Sequence, residues 1–139
     1  MNDARGDLLD VLELQSPQDV VRLRQATRDR AIAAGLSLVD QTKIITAASE
    51  LGRNTLIYGG GGRVVMSVIA RDGRRGVRLE FVDEGPGIPD LEKALTDGFT
   101  TGGGLGLGLG GARRLSDEFE VVSEVGRGTR VTIVRWRAR

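Results

Sequence analysis

The sequence contains no cysteine and no histidine in 139 residues. Without cysteine there are no disulfides, no thiol chemistry and no cysteine metal site. Without histidine there is no imidazole base, no histidine-based triad, no histidine zinc site and no self-phosphorylation on histidine. Acid–base chemistry is left to Asp, Glu, Lys or Tyr, or to backbone and water. The sequence also lacks any apolar run of 18 residues or more, so nothing reads as a membrane span. Met1–Asp10 is acidic and mixed and has no feature of a secretory signal. Neither charge dominates: Lys plus Arg number 20 against 19 for Asp plus Glu, a net charge of +1. That balance argues against a dedicated nucleic-acid binder, whose affinity comes from clustered phosphate neutralisation. These absences describe a cytoplasmic protein that uses neither membrane nor nucleic acid as partner.

Apolar residues make up 40% of the chain, enough for one core, and the length suits one domain over residues 1–139. Leu8–Gln15 alternates loosely and reads as an edge strand. Ser16-Pro17 starts a helix, with a capping hydroxyl and a proline whose fixed φ suits the first turn. This helix runs to about Ala34 and closes at Gly35. A second helix begins near Ser37 or Asp40, carries Ile44, Ala48, Leu51 and Thr55 on one stripe, and stops at Gly59–Gly62. Arg63–Arg71 and Val77–Val82 are β-branched and apolar, and Asp72–Gly76 between them has hairpin-turn chemistry. A short helix is expected at Asp90–Asp97 and a longer one at Leu105–Ser116. Two last strands, Phe119–Val125 and Thr129–Trp136, flank the turn Gly126–Gly128. The order is an α+β one: a two-layer sandwich with a mixed, mostly antiparallel sheet and helices on one face.

Three features carry chemistry. Glu50 and Asn54 are four residues apart and project from one helix face. The first is an acceptor able to orient or deprotonate a hydroxyl; the second offers an amide oxygen suited to Mg²⁺. Alone, the pair equally describes a solvated helix face. Next, Asp83-Glu84-Gly85-Pro86-Gly87 follows directly on a strand, and its glycines let a flat ligand approach the backbone. The Asp83 carboxylate suits the exocyclic amine of adenine, where guanine presents an oxygen. By itself this segment is also a respectable surface turn. Last, Gly98–Gly111 holds eight glycines in 14 positions and leads into a helix. Backbone amides there suit phosphate, and Leu105, Leu107 and Leu109 are more than a linker needs. It is not a P-loop, since no Gly-Lys-Ser/Thr follows. Arg113 and Arg114 are candidates for a phosphate-facing cation, although arginines so placed are commonly solvated. Tyr58 reads as packing, and the arginines around Trp136 read as solvated residues of a terminal strand.

Glu50-x-x-x-Asn54, Asp83-x-Gly85-x-Gly87, the glycine segment 102–110 and Gly126-x-Gly128-Thr129 occur in the order of the GHKL ATPases, the Bergerat-fold superfamily. Within it, Asp40-Gln41-Thr42-Lys43-Ile44, Ser49-Glu50-Leu51-x-Arg53-Asn54 and Asp83-x-Gly85-Pro86-Gly87-Ile88-Pro89-Asp90 resemble the RsbT-type switch kinases. So do Asp97-Gly98-Phe99 and Arg114-Leu115-x-Asp117-Glu118-Phe119. The likeness runs from about residue 10 to Trp136.

This resemblance implies a Mg-ATP-dependent serine/threonine kinase of STAS-domain proteins, acting as a partner switch in bacterial stress signalling. Asn54 would ligate Mg²⁺, Asp83 would take the adenine amine, Gly85 and Gly87 would line the base, and Thr129 would support it. Gly104, Gly106 and Gly108 would belong to a lid over the phosphates, and Glu50 would orient the attacking hydroxyl. The implied partners are STAS-domain scaffold or antagonist proteins and a PP2C-type phosphatase. The alternative is an anti-sigma factor displaced by an anti-anti-sigma STAS protein.

Overall fold

The computed structural model describes residues 10–96 and 108–139. Five strands form one sheet: β1 (Asp10–Leu14), β2 (Gly62–Arg71), β3 (Arg74–Asp83), β4 (Glu118–Glu124) and β5 (Gly128–Trp136). Their order across the sheet is β1-β2-β3-β5-β4, and every pairing is antiparallel. Among the described residues the expected edge strand is therefore at an edge, and every pairing is antiparallel where a mixed, mostly antiparallel sheet was expected. Helices α1 (Pro17–Ala33), α2 (Leu38–Ile57), α3 (Leu91–Ala94) and α4 (Gly108–Arg114) complete the described elements.

Alternation builds the sheet's buried face. On β3, Val77, Leu79 and Phe81 are buried while Arg78, Glu80 and Val82 between them are partly exposed, the period-2 signature of a half-buried strand. Val64, Met66, Val131 and Ile133 extend this face, and Leu23 and Ala31 of α1 with Ile44, Ala48 and Leu51 of α2 cover it. Leu109 and Ala112 join α4 to the same core. The stripe read in the sequence on α2 is thus the buried one, down to Thr55, whose hydroxyl is returned to the Leu51 carbonyl at 3.0 Å.

Helix ends follow local chemistry with one exchange of roles. At α1 the Asp19 carboxylate accepts the N–H groups of Gln15 (2.8 Å) and Ser16 (3.1 Å), so the acid of the first turn reaches back to the helix start. Gly35 follows with φ +79°. At α2 the Ser37 hydroxyl accepts the Asp40 N–H at 3.1 Å, a regular N-cap. The β2–β3 turn is tighter than the five-residue span read from the sequence: Arg71 pairs with Arg74, leaving Asp72 and Gly73. Both have positive φ, 54° and 77°, as a two-residue hairpin turn requires.

Candidate functional site

The C-terminal end of α2 meets the end of β3. Glu50 and Asn54 lie one turn apart on α2 and both are partly buried. The Glu50 carboxylate is 2.8 Å from the Arg53 guanidinium, and Arg53 itself is exposed. The helix closes when the Asn54 carbonyl accepts the N–H groups of Tyr58 (2.9 Å) and Gly59 (3.2 Å). Tyr58, read from the sequence as packing, caps the helix end and is 42% exposed, so it lies outside the buried core.

Asp83 ends β3, in register with Gly62 of β2 and Thr129 of β5. Its Oδ1 accepts the Gly85 N–H at 2.9 Å, and the carboxylate also takes the Thr129 N–H. Burial pushes its pKa above the ordinary aspartate value, and these two N–H donors hold part of that rise back. The contact with α2 is made by glycines. A Cβ on Gly59 would sit 2.5 Å from Asp83 Cγ, and one on Gly85 would sit 2.8 Å from the Gly59 Cα. Only residues without side chains allow the two segments to approach so closely.

The turn after Asp83 is secured from the other side. Gly87 has φ +79°, and a Cβ there would run into the backbone of Glu124. The Pro86 carbonyl accepts the Gly126 N–H at 2.8 Å. Ser123 joins the pieces: its Oγ accepts the Ile88 N–H at 2.8 Å, lies 3.3 Å from the Gly128 carbonyl and shares a 2.8 Å hydrogen bond with the Thr129 hydroxyl. It is thus the Thr129 amide that meets Asp83, while its hydroxyl faces Ser123.

Glu50 and Asn54 thus lie on α2, Asp83 at the end of β3 with Gly85 and Gly87 in the turn after it, and Thr129 at the start of β5. Gly108 opens α4 with φ +68°, and α4 packs against α2. Gly104 and Gly106 fall outside the described residues, as does Asp97-Gly98-Phe99. Arg113 and Arg114 are both exposed on α4. Among the described residues no group of three or more His, Cys, Asp or Glu could hold a metal.

Three participants escaped the sequence reading. Gly59 looked like a helix stop, and its role appears only with Asp83 folded over it. Ser123 lies mid-strand with no motif to mark it. Arg135, read as solvated, is only 15% exposed in its side chain and pairs with Asp40 at 2.7 Å; the alternation of its strand points it at the helical layer.

Residues 39–139 match the family described as histidine kinase-, DNA gyrase B- and HSP90-like ATPase. Over 125 residues the chain is 42% identical to the serine/threonine-protein kinase RsbT of Bacillus subtilis (strain 168), covering 90% of this chain and 94% of that protein. The chain belongs to this ATPase family, in its RsbT-type kinase branch. It is also 40% identical over 105 residues to the anti-sigma F factor of Geobacillus kaustophilus (strain HTA426), covering 70% of each. Among solved structures, this RsbT-type fold is similar to that of the RsbU and RsbW domains of Rv1364c from Mycobacterium tuberculosis. The match has a TM-score of 0.64 and 22% identity, covering 95% of this chain and 33% of that one. As an ATPase-family kinase domain, the RsbT-type chain takes ATP as its nucleotide. No described helix is long and apolar enough to cross a membrane.

Proposed function

We propose that this RsbT-type kinase works in the cytoplasm, transferring the terminal phosphoryl group of Mg-ATP to a serine or threonine of a STAS-domain protein. The transfer would switch its partners, freeing it to bind and activate a PP2C-type phosphatase. The observation that carries the nucleotide part is Asp83. Its half-buried carboxylate lies at a strand end with backbone N–H groups on it and a raised pKa. A further donor, such as the exocyclic amine of adenine, favours the charged form and offsets the burial. Gly85 and Gly87 keep the turn beside it free of side chains, and Thr129 braces the carboxylate through its amide.

The remaining roles are those that the family resemblance implies. Asn54, one turn beyond Glu50, offers a single neutral oxygen. That fits Mg²⁺, which takes few protein ligands and completes its shell with water and phosphate oxygens. Bound there, Mg²⁺ would neutralise charge on the phosphates. Glu50 would accept a hydrogen bond from the substrate hydroxyl and aim it in line, with Arg53 fixing the carboxylate. Gly104, Gly106 and Gly108 would present backbone amides to the phosphates. Positioning and charge neutralisation carry phosphoryl transfer in general.

The test is a phosphate mass shift on STAS-domain proteins encoded near its gene after mixing with the protein and Mg-ATP. Glu50→Ala should keep nucleotide binding and lose the shift. No shift on any such protein, with ATP binding demonstrated, would sink the STAS-kinase reading. The likeness to the anti-sigma F factor supports a second reading, capture of a sigma factor. Co-purification of a sigma factor that a STAS protein displaces would favour it.

A further inference from the structure

Arg135 sits on β5, yet its guanidinium holds two helices. One nitrogen lies 2.7 Å from Asp40 Oδ1 in the first turn of α2, and the other donates to the Leu115 carbonyl just past the end of α4, at 3.2 Å. The second nitrogen is also 3.7 Å from Asp117. Arg135 and Asp40 side chains are 15% and 14% exposed, so this is no solvated surface pair. Asp40 is held below the ordinary aspartate range chiefly by the hydrogen bond from Arg135. A guanidinium suits the task because its planar fork offers several donors in fixed directions.

The two helices are the ones that matter for the nucleotide. α2 carries Glu50 and Asn54, and α4 begins at Gly108, where the glycine segment ends. The short α4 packs against α2, with Leu109 and Ala112 in the core, and Leu115 and Ser116 donate back to its last carbonyls. We infer that Arg135 is a positioning residue for ATP binding: it fixes α4 against α2, and with it the anchored end of the glycine segment. It touches no reacting atom. The inference rests on the ATP reading of the site but not on the identity of the phosphoacceptor.

The experiment is calorimetric titration of Mg-ATP into wild type, Arg135→Met and Arg135→Lys, with amide hydrogen exchange on the same proteins. In Arg135→Met, ATP affinity is expected to fall at least about 5-fold, with exchange accelerated over 108–116 and unchanged in β1. Arg135→Lys, which keeps the charge beside Asp40 but not the fork that also reaches the Leu115 carbonyl, should lose less affinity than Arg135→Met without regaining the wild-type value. Should Arg135→Met not fold, Asp40→Leu/Arg135→Met removes both charges without stranding one and is expected to lose the same affinity. Unchanged affinity in a folded Met variant would overturn the inference, as would exchange that accelerates equally in β1, the mark of general destabilisation. Failure of the wild type to bind ATP would instead strike at the nucleotide reading itself.

Discussion

The carboxylate of Asp83 and the amide of Thr129 meet across β3 and β5, in register, at the point where β3 ends. Gly85 in the following turn also donates to the carboxylate at 2.9 Å, so two backbone N–H groups, one from the sheet and one from the turn, orient it.

Replacing that acceptor should be felt in binding. Asp83→Asn is expected to weaken ATP by roughly 10–100-fold, the range for a lost hydrogen bond to a charged group. Calorimetry with ATP measures it, and an unchanged dissociation constant would remove Asp83 from the adenine site.

Acid should have the same effect by another route. Burial lifts the Asp83 pKa above its ordinary 3.8, so the acceptor is protonated at a pH where an exposed aspartate is still charged. ATP affinity should hold at neutral pH and weaken as pH falls through that raised value. The ratio of wild-type to Asp83→Asn affinity, which cancels the nucleotide's own titration, should shrink over the same interval. A ratio independent of pH would count against the assignment.

Glu50→Gln keeps the shape of the side chain and removes its charge. ATP affinity is expected to stay within about 3-fold while phosphoryl transfer drops about 100-fold or more, the scale of a lost catalytic base. Single-turnover transfer, measured beside binding, separates the two.

Gly85→Ala places a methyl 2.8 Å from the Gly59 backbone. Since backbone on both sides must move, the variant should lose about 1–3 kcal/mol, typical of overpacking. A urea midpoint would report it.

The Asp40–Arg135 pair makes an acid prediction about stability, from a pKa shift opposite in direction to that of Asp83. Asp40 is held below its ordinary 3.8, so its contribution to stability is complete above that value and is lost as pH falls through the lowered one. Asp40→Asn should be less stable than wild type at neutral pH, and the gap should close in strong acid. A gap that stays constant with pH would show the pair contributes through packing rather than charge.

Much of this architecture was legible in the residues. The apolar stripe of α2, the alternation of β3 and the glycine stops carried the helices and strands, because those signals are local. Glu50, Asn54 and Asp83 stood out because their spacing and setting carry chemistry. Ser123, Gly59 and Arg135 did not. Each works by touching a segment far away in the chain, Gly59 against Asp83 and Arg135 against Asp40, and no local pattern encodes such a meeting. The role of Asp19 at the start of α1 was missed for a smaller reason, since a serine before a proline already supplies a plausible cap.

Trp136 is the only tryptophan of the chain. It is buried opposite Gly76, with the Arg71 guanidinium 4.7 Å from its ring centre and its indole N–H on Glu118 at 2.8 Å. Seven residues of β3 separate that register position from Asp83, roughly 23 Å of extended strand. With adenine at Asp83 as proposed, the protein carries its own fluorophore beyond contact quenching by the base. With the base so placed, a change in Trp136 emission on adding ATP would report a change transmitted through the fold rather than contact with the base.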